Sequence, residues 1–345
     1  MCILFIAVSQ CPLYPLVMAS NRDEFTARAT QRPGLGTAFP DTMPHMIAGK
    51  DLRAGGTWAV TDTRTGRTAT ILNVAPSVQM PEGSPSRGAL PLMWMNAPEE
   101  ATPLSFLKEL LSNDKGLKYA GFSLVVTSVR RRTAASGEDV ISCAVGTNAY
   151  KQVRGSTHIQ DLSAPGVYAI TNDGNVLDSL IASSPLSSRT YWPKARRGHA
   201  LMTDIFVDKL RVQDLQLNEL TSELLLKLLG CRQVEDEHSF VSAGEQKSSG
   251  KIEENGQRAW EEHISEARNL SASAEVPIFL PWGEYATRLS TVLIFARLRK
   301  RGFGSGGSGA SCLHLHYEDR GFDGNADGEF LRLGPFSLDL RSSHL

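Results

Sequence analysis

Two apolar, strand-forming runs open the chain, and they constrain the fold more than any other stretch. Residues 2–8 and 15–20 are almost wholly apolar, and Cys11-Pro12 lies in the short connection between them. Two such runs joined by a short connection with a proline predict a β-hairpin. We expect this hairpin to lie at the centre of a sheet.

A charged motif, Asn21-Arg22-Asp23-Glu24, follows the second run directly. In an antiparallel hairpin the end of the second strand lies near the start of the first, so Arg22 and Asp23 should lie at the rim of the sheet close to Cys2. Adjacent residues of a strand point to opposite faces. We therefore expect only one of these two side chains to enter a cleft at Cys2.

Cys2 itself is open to two interpretations. Initiator methionine is readily removed before a small residue, which would leave Cys2 with both a thiol and a free α-amine. That amine, with a reference pKa of about 7.7–8.0, can accept the thiol proton, which would make Cys2 an N-terminal nucleophile. The alternative is a small apolar residue in a core strand, as most free cysteines are. Taken alone, the residue favours the second interpretation.

Composition excludes several classes of function. The chain has 345 residues, 41% of them hydrophobic and 21% charged, which is typical of a soluble globular protein. A formal net charge of −1 provides no field that would attract nucleic acid. The opening run has no positively charged start or cleavage site, and no stretch is long enough to span a bilayer, so we expect a cytoplasmic protein. The cysteines are odd in number and form no Cys-x-x-Cys pair, which indicates free thiols: Cys2, Cys11, Cys143, Cys231 and Cys312.

Three more polar residues fall at predicted strand ends. Asn73 ends a strand over 68–74, Asn172 follows a strand over 167–171, and Arg288 begins a strand within 285–294. An asparagine at a rim can donate to a developing oxyanion, although Asn73 is also suited to cap the turn at Pro76. An arginine there is suited to an anion. We expect Cys2, Asn73, Asn172 and Arg288 to meet at one rim.

The remaining pattern predicts flanking helices and two polar insertions. Helices are predicted for the apolar segment that follows Ser86-Arg87-Gly88 and runs through Met95, and over 99–111, 192–207 and 215–229. Strands are predicted over 58–61, 122–128, 140–145 and 311–317. Residues 173–190 and 232–275 are polar, and the second segment is predicted to be the least ordered. His314 and His316 share a strand face, but no third ligand is spaced to complete a metal site, so no metal is expected.

Six separated blocks of sequence resemble one known family. The blocks are Met1-Cys2, Asn21-Arg22-Asp23-Glu24, Gly49-Lys50-Asp51-Leu52 with Gly55-Gly56-Thr57-Trp58, Ser86-Arg87-Gly88, Trp192-Pro193-Lys194 and Tyr285-Ala286-Thr287-Arg288-Leu289-Ser290-Thr291-Val292. In this order they resemble the NRDE family, also called the transport and Golgi organisation 2 family, over about residues 1–335 of this chain. Members are similar in fold to N-terminal-nucleophile hydrolases. The resemblance implies an α+β fold, a four-layer αββα arrangement with two stacked antiparallel sheets, in a single domain over 1–335 followed by a tail, 336–345.

The more distant similarity to cysteine-type choloylglycine hydrolases and penicillin V acylases implies a role for each candidate residue. Cys2 would be the nucleophile, Arg22 and Asp23 its orienting pair, Asn73 an oxyanion donor, Asn172 a substrate-side polar group and Arg288 an anchor for charge. In those hydrolases the arginine and the aspartate are separated in sequence, whereas here they are adjacent.

Two functional hypotheses follow from the resemblance. It implies involvement in Golgi organisation and protein secretion, lipid and acyl-coenzyme A homeostasis and haem trafficking, with cytoplasmic, mitochondrial or Golgi-associated placement and, at most, peripheral contact with membranes. The first hypothesis is a carrier that binds an acyl-coenzyme A or haem-like amphipathic ligand, with no required cofactor, Cys11 as a soft haem contact and Arg288 as a carboxylate partner. The alternative is a cysteine amidohydrolase or acyltransferase that uses Cys2.

Overall fold

The computed structural model describes residues 2–74, 83–112, 115–131, 139–150, 153, 155–172, 174–178, 192–206, 216–231, 278, 285–299, 311–322 and 329–337. Within these ranges the chain is α+β, with two stacked antiparallel sheets and few helices. This part of the predicted fold is confirmed.

The strands are numbered in chain order, and among the described residues each sheet has seven. Sheet A, in spatial order, consists of β11 (Val176–Asp178), β10 (Gly166–Thr171), β1 (Ile3–Val8), β2 (Leu16–Phe25), β12 (Tyr285–Arg299), β13 (Ser311–Gly321) and β14 (Glu329–Ser337). Sheet B consists of β3 (Thr30–Leu35), β4 (Met46–Asp51), β5 (Ala59–Asp62), β6 (Thr68–Asn73), β7 (Phe122–Arg131), β8 (Asp139–Thr147) and β9 (His158–Asp161).

The hairpin of β1 and β2 lies at the centre of sheet A, as predicted. The expectation that its second strand ends at the charged motif is wrong, because β2 continues to Phe25. Strand β12 pairs with β2 from Leu16 to Phe25, so the main-chain groups of the charged motif take part in strand pairing. Arg22 and Asp23 are consequently buried strand residues, 8% and 3% exposed.

The described helices are α1 (Ala89–Met95), α2 (Pro103–Ser112), α3 (Pro193–Asp204) and α4 (Leu217–Ser222). Helix α2 begins four residues later than predicted, at a proline, which suits the first turn because its missing N–H has no helical partner there. The single helix predicted over 215–229 is divided. It is α-helical through Ser222 and continues as a π-helical segment, Glu223–Leu228.

Buried apolar residues form three clusters, one between the sheets and one on the outer face of each. Odd-numbered residues of β1, such as Phe5, pack with α3 and the π-helical segment, whereas even-numbered ones, such as Leu4, face sheet B. The outer face of sheet B packs against α1 and α2, with Trp94 fully buried. This alternation fixes which side chains of β1 and β2 lie between the sheets.

Five strands escaped sequence analysis: β3, β4, β9, β11 and β14. Proline and glycine interrupt β3, and a glycine interrupts β4, so neither has a clean strand pattern. Of the predicted insertion 173–190, residues 176–178 form β11, and nearly all of the remainder lies outside the described residues, as does the predicted insertion 232–275. Strand β14 extends to Ser337, and residues 338–345 of the predicted tail are also outside the described ranges.

Candidate functional site

Three side chains lie side by side at one end of sheet A, on the face toward sheet B. Ile3 pairs with Thr171 of β10 on one side and with Asn21 of β2 on the other. One residue earlier, Cys2 therefore lies between Asn172 and Arg22. Directly opposite residues of neighbouring strands share a face. We call Asn172, Cys2 and Arg22 the Cys2 row.

Cys2 is half-buried at the middle of the row, where its Sγ lies 3.7 Å from the main-chain carbonyl oxygen of Asp23. Burial raises the pKa of the Cys2 thiol above its ordinary value. The chain's amino terminus opposes this rise, and the positive charge of Arg22 also lowers the pKa. The thiol is therefore protonated at neutral pH and needs a base before it can act as a nucleophile.

Arg22 lies over an aromatic ring at one end of the row. Its guanidinium carbon is 4.2 Å from the centre of the Trp58 ring, and its side chain is 9% exposed. Arg22 forms an ion pair with Glu24, with 3.6 Å between Arg22 Nη2 and Glu24 Oε2, a distance too long for a hydrogen bond. Among the described residues the Arg22 guanidinium makes no hydrogen bond. Sequence analysis missed Trp58 as a site residue, although it ends the Gly55-Gly56-Thr57-Trp58 block.

Asp23 points to the opposite face of sheet A. Its Oδ1 accepts a hydrogen bond from Thr287 Oγ1 at 2.7 Å, on the side that carries the helices. The preceding odd-numbered residue, Asn21, donates on that same side to the main-chain carbonyl oxygens of Leu229 and Ile278. Arg22 and Asp23 therefore do not orient Cys2 together. The contact of Asp23 with the thiol is made by its main-chain carbonyl oxygen.

Asn172 links the row to sheet B. Its Nδ2 donates to the main-chain carbonyl oxygen of Asn73 at 2.5 Å, and the residue is 6% exposed. Its Oδ1 is buried and has no hydrogen-bond partner among the described residues. The side chain of Asn73 is exposed at the end of β6. Asn172 thus presents an acceptor at the row, while its donor is already occupied.

Arg288 is at the same end of sheet A but binds the protein's own main chain. It lies in an irregularity of β12 between Thr287 and Leu289. Its Nη1 donates to the carbonyl oxygens of Phe25, Thr26 and Arg28 at 3.2, 3.1 and 3.2 Å. These contacts hold the turn that follows β2. The structure therefore places Arg288 near the row in a role that sequence analysis did not predict.

A second arginine closes the same turn. Arg28 donates to Asp51 Oδ2 from Nε and Nη2, at 2.8 and 2.6 Å, which ties the end of β2 to the end of β4. Burial alone would raise the pKa of Asp51, but the hydrogen bonds from Arg28 and from the N–H groups of Ala54 and Arg53 lower it below its usual value. Asp51 is therefore ionised at neutral pH, and both of its carboxylate oxygens accept hydrogen bonds.

A narrow cavity of about 30 Å³ lies between the sheets behind the row. Leu4, Met18 and Ser20 line it from the strands that carry Cys2 and Arg22, and Trp58 and Thr70 line it from sheet B. It has room for a water molecule or the thin end of a ligand. Within the described part of the chain no cluster of three or more His, Cys, Asp or Glu side chains could hold a metal ion, and no described helix is long and apolar enough to cross a membrane.

Comparison with known proteins gives one consistent result. A family profile described as "Transport and Golgi organisation 2" matches residues 1–303. The chain is 26% identical over 217 residues to the Transport and Golgi organization protein 2 homolog of Bos taurus, which covers 61% of this chain and 70% of that protein. It is 27% identical over 217 residues to the Mus musculus homolog, with the same coverage. It is 33% identical over 134 residues to Transport and Golgi organization protein 2 of Drosophila melanogaster, or 36% of this chain and 45% of that protein.

Proposed function

The chain belongs to the Transport and Golgi organisation 2 family, and from that membership we propose that it acts in the organisation of the Golgi and in the secretion that depends on it. Its curated relatives are named for this process. The molecular event that we propose is binding of a small amphipathic ligand with an acyl group at the Cys2 row. The fold that we infer behind this site is the four-layer arrangement of N-terminal-nucleophile hydrolases.

The observation that carries this proposal is the pair of unfilled hydrogen-bonding groups at the two ends of the row. The Arg22 side chain is 9% exposed and its guanidinium makes no hydrogen bond among the described residues, and the buried Oδ1 of Asn172 has no partner among them. A buried polar group without a partner costs about 1–3 kcal/mol, and more when it is charged. A ligand that supplies the missing partner would remove this cost. An acyl carbonyl or carboxylate oxygen of the ligand would accept a hydrogen bond from the Arg22 guanidinium. An N–H or O–H group of the ligand would donate to Asn172 Oδ1.

The cavity behind the row favours an acyl ligand over a haem-like one. Its volume of about 30 Å³ would admit the thin end of a chain but not a flat macrocycle. Cys11, the thiol considered for a haem contact, is 8% exposed and belongs to the cluster on the other face of sheet A. An acyl-coenzyme A or fatty acyl ligand is therefore the class that we propose, with haem as the weaker alternative.

The position of Cys2 between the two unfilled groups favours a second candidate function, cysteine amidohydrolase or acyltransferase activity. Removal of Met1 would free the α-amine of Cys2, which would take the thiol proton. The sulfur would then bond to the acyl carbon as the C–N bond breaks, the proton would leave with the amine, and water or another acceptor would release the acyl group from the thioester. Because burial raises the pKa of the thiol, this route requires the amine as base.

The test is a thermal-shift titration of the purified full chain whose mass has first shown whether Met1 is retained. We expect octanoyl-coenzyme A to raise the melting temperature by several degrees at saturating concentration, because a ligand that binds only the folded state stabilises it by RT ln(1 + [L]/Kd). Octanol, which has the chain without the acyl group, is the control and should have little effect. Equal shifts with both compounds, or none with either, would contradict the proposal.

Cys2→Ala separates the two functions on the same preparation. The substitution should leave the octanoyl-coenzyme A shift nearly intact, because affinity comes from Arg22, Asn172 and apolar walls, and it should abolish any acyl cleavage. Chains that retain Met1 yet cleave an acyl substrate would exclude the α-amine of Cys2 as the base.

A further inference from the structure

Arg22 and Trp58 form a stacked pair that no hydrogen bond completes. The guanidinium carbon lies over the ring, 4.2 Å from its centre, so the aromatic ring occupies that side of the cation and its N–H groups remain available to a ligand from the other directions. Burial lowers the pKa of Arg22, which reflects the cost of keeping this charge away from water. A guanidinium in such a setting binds oxyanions through its edge, often through two parallel hydrogen bonds.

Trp58 is fixed beneath Arg22 by a close approach to Gly49 of β4. A Cβ atom on Gly49 would lie 2.3 Å from two carbons of the Trp58 ring, so only glycine leaves room for the ring there. The loop before Trp58 is held in turn against residue 88, because the N–H of Thr57 donates to the main-chain carbonyl oxygen of Gly88 at 3.0 Å. Two of the sequence blocks thus combine to position one ring.

Two other arginines at this end of the sheets have fixed partners. Arg28 is bound to Asp51, and Arg288 donates to three main-chain carbonyl oxygens. Glu24 also lies 3.7 Å from Arg28 and accepts from the N–H of Phe25, so it is shared rather than dedicated to Arg22. Arg22 differs from these two arginines because its guanidinium makes no hydrogen bond among the described residues.

We infer that Arg22, positioned by Trp58 and Gly49, is the subsite that binds an oxyanion of the ligand, a carboxylate or a phosphate, beside Cys2. Arg22 thus has the role that sequence analysis gave to Arg288. The inference rests on the proposed function, since it specifies which part of the ligand the Cys2 row recognises. Trp58 acts through Arg22 and is a positioning residue.

The test measures protection of Cys2 from iodoacetamide, a neutral reagent, with the modified cysteine identified by peptide mass spectrometry. The purified full chain is titrated in parallel with octanoate and with inorganic phosphate. Four variants are compared with the unsubstituted chain: Arg22→Met, Trp58→Leu, Trp58→Phe and Arg67→Met. Arg67 is the matched control, because it stacks on Trp94 at 4.8 Å on the outer side of sheet B, away from Cys2. Melting temperatures show that each variant is folded.

We expect one of the two anions to protect Cys2 in the unsubstituted chain, and the anion that protects identifies the group as carboxylate or phosphate. Arg22→Met should weaken this protection by about thirtyfold or more, as expected for loss of a buried charged partner. Trp58→Leu should weaken it as well, whereas Trp58→Phe, which keeps an aromatic face, should restore most of it. Arg67→Met should leave protection unchanged.

Three results would overturn the inference: no protection by either anion, protection that persists in Arg22→Met, or an equal loss in Arg67→Met. Arg22→Met replaces a charge without opening a cavity, so the inference stays testable even if Trp58→Leu fails to fold.

Failure of the Arg22 subsite can be distinguished from failure of the proposed function. If octanoyl-coenzyme A still shifts the melting temperature while protection by anions does not depend on Arg22, the ligand site stands and its oxyanion contact lies elsewhere.

Discussion

Asn172 donates a hydrogen bond to the main-chain carbonyl oxygen of Asn73, and this contact joins the two sheets beside Cys2. It also fixes the orientation of the Asn172 amide, because turning the amide over would set its oxygen against a carbonyl oxygen. The oxygen is therefore the end of the side chain that faces no partner in the described structure. An asparagine expected to contact substrate as a general polar group is better described as an acceptor.

The first prediction concerns the substitution Asn172→Asp. A carboxylate would face the carbonyl oxygen of Asn73 with no proton between them, so we expect the free energy of unfolding at pH 7 to fall by about 1–3 kcal/mol. At low pH the new carboxyl group is protonated and can donate, so the loss should shrink as the pH falls. Urea denaturation at several pH values measures both effects.

Asn96→Asp is the control, because Asn96 also donates to a main-chain carbonyl oxygen, that of Leu92, but is exposed. Its effect on the free energy of unfolding should stay within about 0.5 kcal/mol. A loss for Asn172→Asp that is no larger than this, or one that does not depend on pH, would mean that the Asn73 contact does not carry the link between the sheets.

The second prediction is the pH dependence of Cys2 alkylation. Only the thiolate reacts, and burial raises the pKa of the Cys2 thiol, so the iodoacetamide rate should still be rising above pH 9. The positive charge of Arg22 lowers that pKa, so Arg22→Met should move the whole curve toward higher pH. Arg67→Met, remote from Cys2, should leave the curve in place. A shift toward lower pH in Arg22→Met would show that the two groups do not interact as the structure indicates.

The third prediction concerns the pair formed by Arg28 and Asp51. The pKa of Asp51 is lowered in the folded chain, so its contribution to stability is present above the unfolded pKa, about 3.9, and is lost as the pH falls through the folded value. Asp51→Asn keeps the Oδ1 that accepts from the N–H groups of Arg53 and Ala54 but removes the charge. We expect a loss of about 1–3 kcal/mol at pH 7 that closes below about pH 4.

Glu109→Gln provides the comparison for that pair. Glu109 and Lys115 lie 2.9 Å apart, but their side chains are 67% and 50% exposed, so the loss should be at most about 0.5 kcal/mol. Equal losses for Asp51→Asn and Glu109→Gln in urea denaturation would mean that the partly buried pair of Arg28 and Asp51 contributes no more than a surface pair.

Patterns local in the sequence predicted the parts of the site that depend on strand geometry. The apolar runs gave the central hairpin, and the alternation of a strand separates Arg22 from Asp23, which the structure shows on opposite faces. Whether these residues act on a ligand stays a prediction. The resemblance added the stacked sheets, which no local pattern would have given.

Contacts between distant segments could not be predicted in this way. Arg288 is bound by carbonyl oxygens of residues 25, 26 and 28, about 260 positions earlier in the chain, so nothing near Arg288 signals that its donors are taken. Trp58 was visible as the end of a glycine-rich block, but its role depends on Gly49 below it and Arg22 above it. Main-chain acceptors and ring faces carry no sequence signal of their own.

The last prediction tests whether Arg288 supports the turn after β2 or binds the ligand. Because a single nitrogen, Nη1, donates to three carbonyl oxygens, Arg288→Gln should lower the free energy of unfolding by about 2–4 kcal/mol. Arg288→Lys should retain much of the stability, since an ammonium has three donors on one nitrogen. Arg64→Gln, at an arginine that is 62% exposed, should cost at most about 0.5 kcal/mol.

The alternative is that Arg288 is the oxyanion anchor and binds the anion through the planar edge of its guanidinium. In that case both Arg288→Gln and Arg288→Lys would weaken anion protection of Cys2 as much as Arg22→Met does. Urea unfolding and anion protection of Cys2 from iodoacetamide, measured on the same variants, decide between the two roles. Because Arg288 contacts the turn after β2, we expect Arg288→Gln to lose stability while anion protection stays unchanged at temperatures where the variant is folded.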